Sequence, residues 1–487
     1  MGDPLETELK LELDPADLVK LDLGALTLAG EDDPEQQVSR YFDTPELDLQ
    51  RAGFSLRIRQ VDGRYVQTVK RTASSAAGLF VRNEWEQPTS HRSPRVDELP
   101  GPLSHIFDGE ALKRLKPLFT IQVERLTRKL QMNGSAILFT LDQGMINTSK
   151  QKEPICEIEL ELAAGHVADL FGLAREIDKQ VPLELGVEAK SERGYNLLAP
   201  EPRGSFKAEA IAIEAQRPAA DAFAAIAESC IRQFRRNEKL LLKDNEVDPL
   251  HQARVGLRRL RSAFSAFAPL ISVDERADLF NAELRWLARV LGDVRDLDVL
   301  IPTLTSTRQK KLIEARERAM AQAREQLCSA RTRLLMLDLA EWLAIGAWRL
   351  HPADAAFLQR PVAEVAHDIL RKQRRRLSKR GENLRHLSDE HRHEVRKQAK
   401  RLRYTAEFFA GLYPDGTTHH RYKKFLSALE KLQDHLGALN DIATLPVIFA
   451  RYDVEPPDTA SHKKDRAHEL KRAEKAFKML RDAEPFW

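Results

Sequence analysis

The feature of this sequence that most limits its fold is a change of period. Over roughly the first 200 residues, charged and apolar side chains alternate in short runs: TELKLEL, FSLRIRQ, RYVQTVKR, LFVRNEWEQ, FTIQVERLTRKLQM, SAILFTLDQGMI and PICEIELEL. Period two is the spacing of a strand, whose successive side chains point to opposite faces. Asp62-Gly63, Asn133-Gly134 and Gln143-Gly144 read as turns between these runs, giving antiparallel hairpins and a meander. Helical segments are expected around 103 to 116 and 167 to 180. APEPRGS and QRPA then break the pattern between residues 199 and 218, and no strand-like alternation returns. From Ala219 on, stretches rich in Ala, Leu, Arg, Glu and Lys carry helical periodicity, punctuated by Pro249, Pro269, Pro302, Pro352 and Pro414.

The second half also repeats itself. HQARVGLRRLR from His251 matches HEVRKQAKRLR from His393, and LGDVRDLDVL from Leu291 answers LGALNDIATL from Leu436. In the second copy Asn440 replaces Arg295 and Ala443 replaces Asp298. Duplication of this kind predicts two four-helix bundles. A chain of 487 residues is too long for one core. The expected class is therefore α+β and multidomain: an antiparallel β domain with flanking helices over 1–204, a linker over 205–218, and an all-α domain over 219–487. The helical repeats would cover about 219–350 and 360–487.

Charge divides along the same line. The net charge of +3 conceals an excess of acids up to residue 205 and an excess of bases beyond it, and a basic half suits a polyanionic partner. No apolar run of about 18 residues is present and the first residues, MGDPLETE, are acidic, which argues against a membrane span or a secretory signal. Three scattered cysteines, Cys156, Cys230 and Cys328, fit a reducing compartment. A cytoplasmic protein is expected.

Alternation also sorts the charges. Glu6, Glu8 and Lys10 share one face of their strand while Leu9 and Leu11 take the other. Arg57 and Arg59 share a face, as do Glu84 and Glu86, and Glu157, Glu159 and Glu161. Lys70, Arg125, Arg128, Lys190 and Arg193 add single bases, and Asp142 lies in the turn-proximal LDQG. One such strand is ordinarily half exposed. Six strands nearly monotonous in Glu or Arg fit that picture poorly, because clustered carboxylates repel without cations between them and clustered guanidinium groups call for an anion. A phosphate chain with divalent metal satisfies both. Mg2+ and Mn2+ prefer carboxylate and phosphate oxygens, and Arg grips phosphate with two prongs.

Glu6-x-Glu8-x-Lys10, YFDTPELDL, LRIR, TVK, RNEWE, VERLTR, LDQG, EIELEL and AKSERGY, in that order over residues 1 to 200, resemble the CYTH family, the triphosphate tunnel metalloenzymes. The resemblance implies an antiparallel barrel forming a tunnel, a triphosphate substrate, and two divalent ions, Mg2+ or Mn2+. It assigns Glu6, Glu8, Asp142, Glu157 and Glu159 to metal, and Lys10, Arg57, Arg59, Lys70, Arg125, Lys190 and Arg193 to phosphate. Glu84 and Glu86 fall on the family's mid-barrel acidic pair, touching metal or orienting bases. Glu161 and Arg128 point inward by parity or lie at the tunnel mouth. Glu157 or Glu159 would accept the proton of an attacking water, with Lys10 neutralising charge in the catalytic centre. Trp85 alternates away from Glu84 and Glu86, so no aromatic is clearly aimed inward. Inorganic triphosphate is thus the first substrate, ahead of thiamine triphosphate hydrolysis and class IV adenylate cyclase activity.

In the helical half, His251, Arg254, Arg258 and Arg261, and again His393, Arg396, Lys400 and Arg403, fall on one stripe of a helix without interspersed glutamate. The HxxRxxxRRxR pattern and its duplication resemble the CHAD family, which implies a basic surface that binds polyphosphate. Arg375, Arg376 and Lys379 add charge nearby. No carboxylate lies at ligand spacing beside the histidines, which favours anion contact over metal. The lack of interleaved aromatics argues against nucleic acid. A protein whose two halves only bind phosphate chains is the non-catalytic alternative.

Overall fold

A computed structural model describes residues 5–26, 34–72, 77–95, 103, 113–199, 204–243, 247–304, 306–350, 355–414, 416–452, 454 and 460–487. The chain divides into two compact units, residues 1–204 with 328–345, and residues 205–327 with 346–487. The helix expected around 103 to 116 lies mostly outside the described residues.

The first unit is built on strands β1 (Leu5–Glu12), β2 (Glu35–Asp43), β3 (Phe54–Val61), β4 (Arg64–Arg71), β5 (Leu79–Thr89), β6 (Lys116–Met132), β7 (Ser135–Asn147) and β8 (Lys152–Ala164). Their order is β5-β4-β3-β2-β6-β7-β8-β1, all antiparallel, and β1 pairs again with β5. That last pairing closes an eight-stranded barrel. A two-residue strand, β9 (Glu184–Leu185), adds to β1. Asp62-Gly63 and Asn133-Gly134 make tight hairpin turns with both residues at positive φ, 47° and 79°, 51° and 86°.

Three local expectations are corrected. Gln143-Gly144 is no turn, because β7 runs straight through it. A Cβ on Gly144 would stand 2.0 Å from the Gln122 carbonyl oxygen, so the glycine serves the close approach of β6, and Asp142 is mid-strand. AKSERGY, grouped with the strands by its charges, begins a helix that puts Lys190 and Arg193 one turn apart. Finally, β2 was absent from the alternating runs, since EQQVSR is polar on both sides.

Both faces of the barrel wall are buried. Leu9 is 0% exposed while Lys10, pointing the other way, is 1% exposed. The outer face carries the apolar core. Helix α1 (Val167–Gln180) lies over β1 and β8 with Leu170, Phe171, Leu173 and Ile177 buried. A second cluster gathers Tyr41, Phe119, Ile121, Val123 and Ile146 around Tyr195 of helix α2 (Lys190–Asn196). Trp85 packs outside with Leu56, Ile58 and Val69.

The second unit is all helical. Its long helices are α3 (Ala219–Lys243), α4 (Val247–Ala266), α5 (Arg276–Leu300) and α6 (Ser306–Cys328). After α7 (Ala330–Ile345) come α8 (Val362–Arg380), α9 (Asp389–Phe408), α10 (Gly416–Arg451) and α11 (Ala460–Asp482). Helix α7 belongs to the first unit, where Arg175 of α1 donates to Asp338 at 2.5 Å and Arg333 to Asp178 at 2.8 Å. The two repeated motifs lie on α4 and α9, which touch. Their apolar sides, Leu250, Leu257 and Leu260, and Val395 and Leu402, are buried.

The segment expected as a linker is packed along the helical unit. The Phe206 amide donates to Asn237 Oδ1 at 2.9 Å, the Asn237 amide donates back to the Phe206 carbonyl at 2.8 Å, and Ile211 and Ile213 are buried. Among the described residues no helix is long and apolar enough to cross a membrane.

Candidate functional site

The barrel encloses a cavity of about 250 Å³, lined by the charged faces of its strands. Antiparallel register sets charged residues against each other there, most of them of opposite sign. Glu6 faces Arg82, Lys10 faces Glu159, Lys70 faces Glu84, and Asp142 faces Arg125 on one side and Glu157 on the other. Cross-strand neighbours lie close enough for these pairs to interact directly.

At one end, Asp142, Glu157 and Glu159 each bring an oxygen within 4.8 Å of the others. Asp142 and Glu157 are wholly buried, and of the three only Glu159 borders the cavity. Four bases surround them. Lys10 Nζ lies 2.8 Å from Glu157 and contacts Glu159; Lys190 Nζ lies 2.7 Å from Asp142, 2.9 Å from Glu159 and also contacts Glu157. Arg125 grips Asp142 with two prongs and reaches Glu159 at 3.3 Å. Arg193 reaches Glu157 at 3.2 Å, but its other bonds go to Glu153 and the Pro154 carbonyl, away from the cavity. Burial would neutralise Lys10; the Glu157, Glu159 and Glu8 carboxylates outweigh it and hold the ammonium above its ordinary range. Burial likewise disfavours ionised Glu159, and Lys10, Lys190 and Arg125 drive its carboxyl well below the usual range.

The acids assigned to metal from the first strand sit differently. Glu6 accepts from Lys70 at 3.0 Å and from Arg82 at 3.2 Å, and Glu8 accepts from Arg82 at 2.5 Å. Arg82 is 8% exposed and was missed in the sequence, although parity with Glu84 and Glu86 along β5 could have found it. Glu161 lines the same region; burial and then Glu6 and Glu8 push its carboxyl up. Glu84 and Glu86 pair with bases, Lys70 lying 2.7 Å from Glu84 and Arg59 2.5 Å from Glu86.

Arg57 and Arg59 form the far wall. Each has its Nε buried without an acceptor. Repulsion from Arg57, then burial, brings Arg59 down to about 10. Two guanidinium groups held side by side with orphaned donors are a cradle for an anion. The carboxylate trio, in turn, is a hard-oxygen donor set that fits a divalent cation.

In the helical unit, a cavity of about 910 Å³ opens between the two repeated stripes. Arg254, Arg258 and Arg261 line it from α4, and His393, Lys397, Lys400 and Arg401 from α9. Arg285 and Arg289 of α5 join them, beyond the sequence expectation, as do Lys397 and Arg401. His251, Arg396 and Arg403 are not among the lining residues; Arg403 pairs with Glu407 at 2.8 Å. Arg254 donates to the Gly292 carbonyl at 2.8 Å, which ties α4 to the LGD segment of α5. Arg258 and Arg396 keep their Nε atoms buried and unsatisfied. Burial, then Arg258 and Arg396, lowers Lys400 to about 6. Burial, then Arg295 and Arg258, lowers His251 to about 4.

Comparison with known proteins agrees in outline. The CYTH domain family matches residues 4–195 and the CHAD domain family residues 225–449. An inorganic triphosphatase of Haemophilus influenzae is 30% identical over 158 residues, 32% of this chain and 44% of that protein. An uncharacterised protein of Mycobacterium tuberculosis is 32% identical over 188 residues, 35% of this chain and 36% of that protein. The chain thus matches less than half the length of these relatives. Among solved structures, the CHAD domain from the plant Ricinus communis is 26% identical and covers 57% of this chain and 97% of its own, with a TM-score of 0.48. A Hippeastrum protein, HpAC1, described as a putative adenylyl cyclase that reveals a dominant triphosphatase activity, is 20% identical and covers 40% of this chain and 98% of its own, with a TM-score of 0.31.

Proposed function

Because the chain joins a CYTH domain to a CHAD domain, we propose that its barrel hydrolyses inorganic triphosphate to pyrophosphate and phosphate, and that its helical unit binds polyphosphate. The observation that carries the first part is the juxtaposition, within one barrel, of a three-carboxylate cluster that meets the cavity through Glu159 and a guanidinium wall with orphaned donors. Arg57, Arg59, Lys70, Arg82 and Arg125 hold the phosphate chain and spread its charge. Asp142, Glu157 and Glu159 hold a divalent ion, Mg2+ or Mn2+, which when bound supplies Lewis-acid charge and acidifies water. Glu159, the member of the trio that borders the cavity, accepts the proton of the attacking water. Lys10 is held charged and screens the carboxylates from the incoming anion.

Lumen chemistry favours a substrate without an organic group. Among the lining residues Tyr41 alone is aromatic, and its ring is stacked on Phe119 in the core at a centroid distance of 4.7 Å. Among the described residues that line the cavity, no free ring is left to stack on thiazolium or adenine. The cavity of about 250 Å³ also falls below the range of about 300–1,000 Å³ common for organic ligands.

The test is phosphate release by the full chain from tripolyphosphate, thiamine triphosphate and ATP side by side, with Mg2+, with Mn2+ and with chelator. Tripolyphosphate is expected to turn over fastest, with metal only. Faster release from an organic triphosphate would reassign the substrate, and no metal-dependent release from any of the three would leave a binding protein. For the helical unit, long-chain polyphosphate should displace single-stranded and duplex nucleic acid from the full chain; failure to do so would remove polyphosphate as its ligand.

A further inference from the structure

Lys190 stands where a divalent ion would have to stand. Its Nζ lies 2.7 Å from Asp142 Oδ2, 2.9 Å from Glu159 Oε1, and in contact with Glu157 Oε1. These are one oxygen from each member of the carboxylate cluster. An ion bridging the three at the roughly 2.0–2.2 Å normal for Mg2+ or Mn2+ would fill the volume that this ammonium fills. Two cations cannot share it. We infer that Lys190 is an internal counter-ion that competes with the divalent ion for the cluster and moves to the phosphate chain when the ion enters. The inference rests on the metal reading of the trio given above.

The surrounding structure decides what moves. Helix α2, which begins at Lys190, is fastened beyond it. The Ala189 amide donates to Glu192 at 2.8 Å, Arg193 donates to Glu153 at 2.7 Å and to the Pro154 carbonyl at 2.6 Å, and the Tyr195 hydroxyl donates to the buried Asp43 carboxylate at 2.9 Å. Phe119 packs so closely on Gly194 that a Cβ there would meet the ring at 2.1 Å. The helix backbone therefore stays, and relocation falls to the four-carbon Lys190 side chain. That side chain borders the cavity, whereas Asp142 and Glu157 do not. Swinging from the trio into the lumen places a positive charge beside Arg125 and Lys70, tolerable only when a polyanion is there. Metal and triphosphate would in this way favour each other through one side chain, and by linkage the effect is mutual.

Lys10 is the fixed counterpart. It is 1% exposed, sits in mid-strand on β1 and lies so close to Gly186 that a Cβ added there would stand 2.8 Å from its Cγ. Lys190, at the first turn of a short helix, keeps its side chain 10% exposed against 1% for Lys10.

The experiment titrates Mn2+ alone, without substrate, into the full chain and into Lys190→Gln and Lys190→Met, by calorimetry, with folding checked by circular dichroism. Removing the competing ammonium is expected to tighten Mn2+ binding by about tenfold or more. In the absence of metal both variants should melt lower than the parent, and saturating Mn2+ should recover more melting temperature in them than in the parent. A residue that merely supports the fold or ligates phosphate would leave Mn2+ affinity unchanged or lower it, and either result overturns the inference. Absence of Mn2+ binding in parent and variants alike overturns it together with the metal reading. Binding that is equal in parent and variants, and lost in Glu157→Gln, overturns the inference alone.

Discussion

Arg125 and Asp142 face each other across β6 and β7 in a two-pronged pair, Nε to Oδ1 at 2.7 Å and Nη2 to Oδ2 at 2.6 Å. Asp142 is wholly buried, so its charge is held by Arg125 and Lys190 together, and losing it takes a buried carboxylate from both bases.

Asp142→Asn should therefore destabilise the barrel by roughly 3–5 kcal/mol, the cost typical of breaking a buried pair on one side. Urea denaturation followed by tryptophan fluorescence measures it. The pH profile has a definite sign. Burial alone would raise the Asp142 carboxyl, but Lys190 and Arg125 hold it below its ordinary 3.8, and Glu159 is held well below 4.5. Their contribution to stability is then complete above about pH 5 and is lost as pH falls below 4 through the folded values. A parent protein no less stable at pH 3 than at pH 6 would contradict this.

Glu159→Gln should keep the fold and lose turnover of tripolyphosphate by at least about a hundredfold, the scale of one general base. Arg57→Ala should act mainly on KM, because that side chain grips charge without taking part in proton transfer. Steady-state kinetics separate the two. Near-parental turnover by folded Glu159→Gln protein would remove Glu159 from the chemistry.

Polyanion binding by the helical unit should weaken as pH rises from 6 to 8. Lys400, lowered to about 6 by burial and then by Arg258 and Arg396, is mostly neutral at pH 8, and an incoming polyanion must bring a proton to it. Lys400→Met should flatten that dependence at constant ionic strength. The same shift makes the unfolded chain the stronger proton binder between about 6 and 10.5, so Lys400 opposes folding less as pH rises across that window. An identical pH slope for parent and Lys400→Met would exclude Lys400 from the site.

Gly194→Ala should lower turnover without touching a charged group. Its Cβ has to displace the Phe119 ring, and with it helix α2, which carries Lys190. Activity is expected to fall while the far-ultraviolet spectrum stays the same; full activity would show that α2 can shift without consequence.

The charged faces could be read from alternation alone, because a strand leaves no freedom about which residues share a side. Arg82 was open to the same reasoning and was overlooked beside Glu84 and Glu86. Helix α2 was not legible in that way. AKSERGY is short, and its charges keep company with the strands in either conformation; its helical state depends on Phe119 and Tyr195 packing and on Asp43, over 140 residues earlier in sequence.

By itself the sequence determined the two regimes of the chain, the period-two half and the period-3.6 half, and the set of charges that each surface would carry. Only the tertiary structure decided which way those surfaces turned, since Leu9 and Lys10 are equally hidden and composition cannot tell a lumen from an outer core. It also divided the acids, giving Glu6 and Glu8 to Arg82 and Lys70 while leaving Asp142, Glu157 and Glu159 together. In the basic doublets of the helical repeats, Arg258-Arg259 and Lys400-Arg401, it buried Arg259 against Phe408 and turned Arg401 to the cavity. The physical reason is common to all three. Partners are fixed by strand register and helix packing across long stretches of chain, and a local pattern supplies a side chain's direction without saying what stands there.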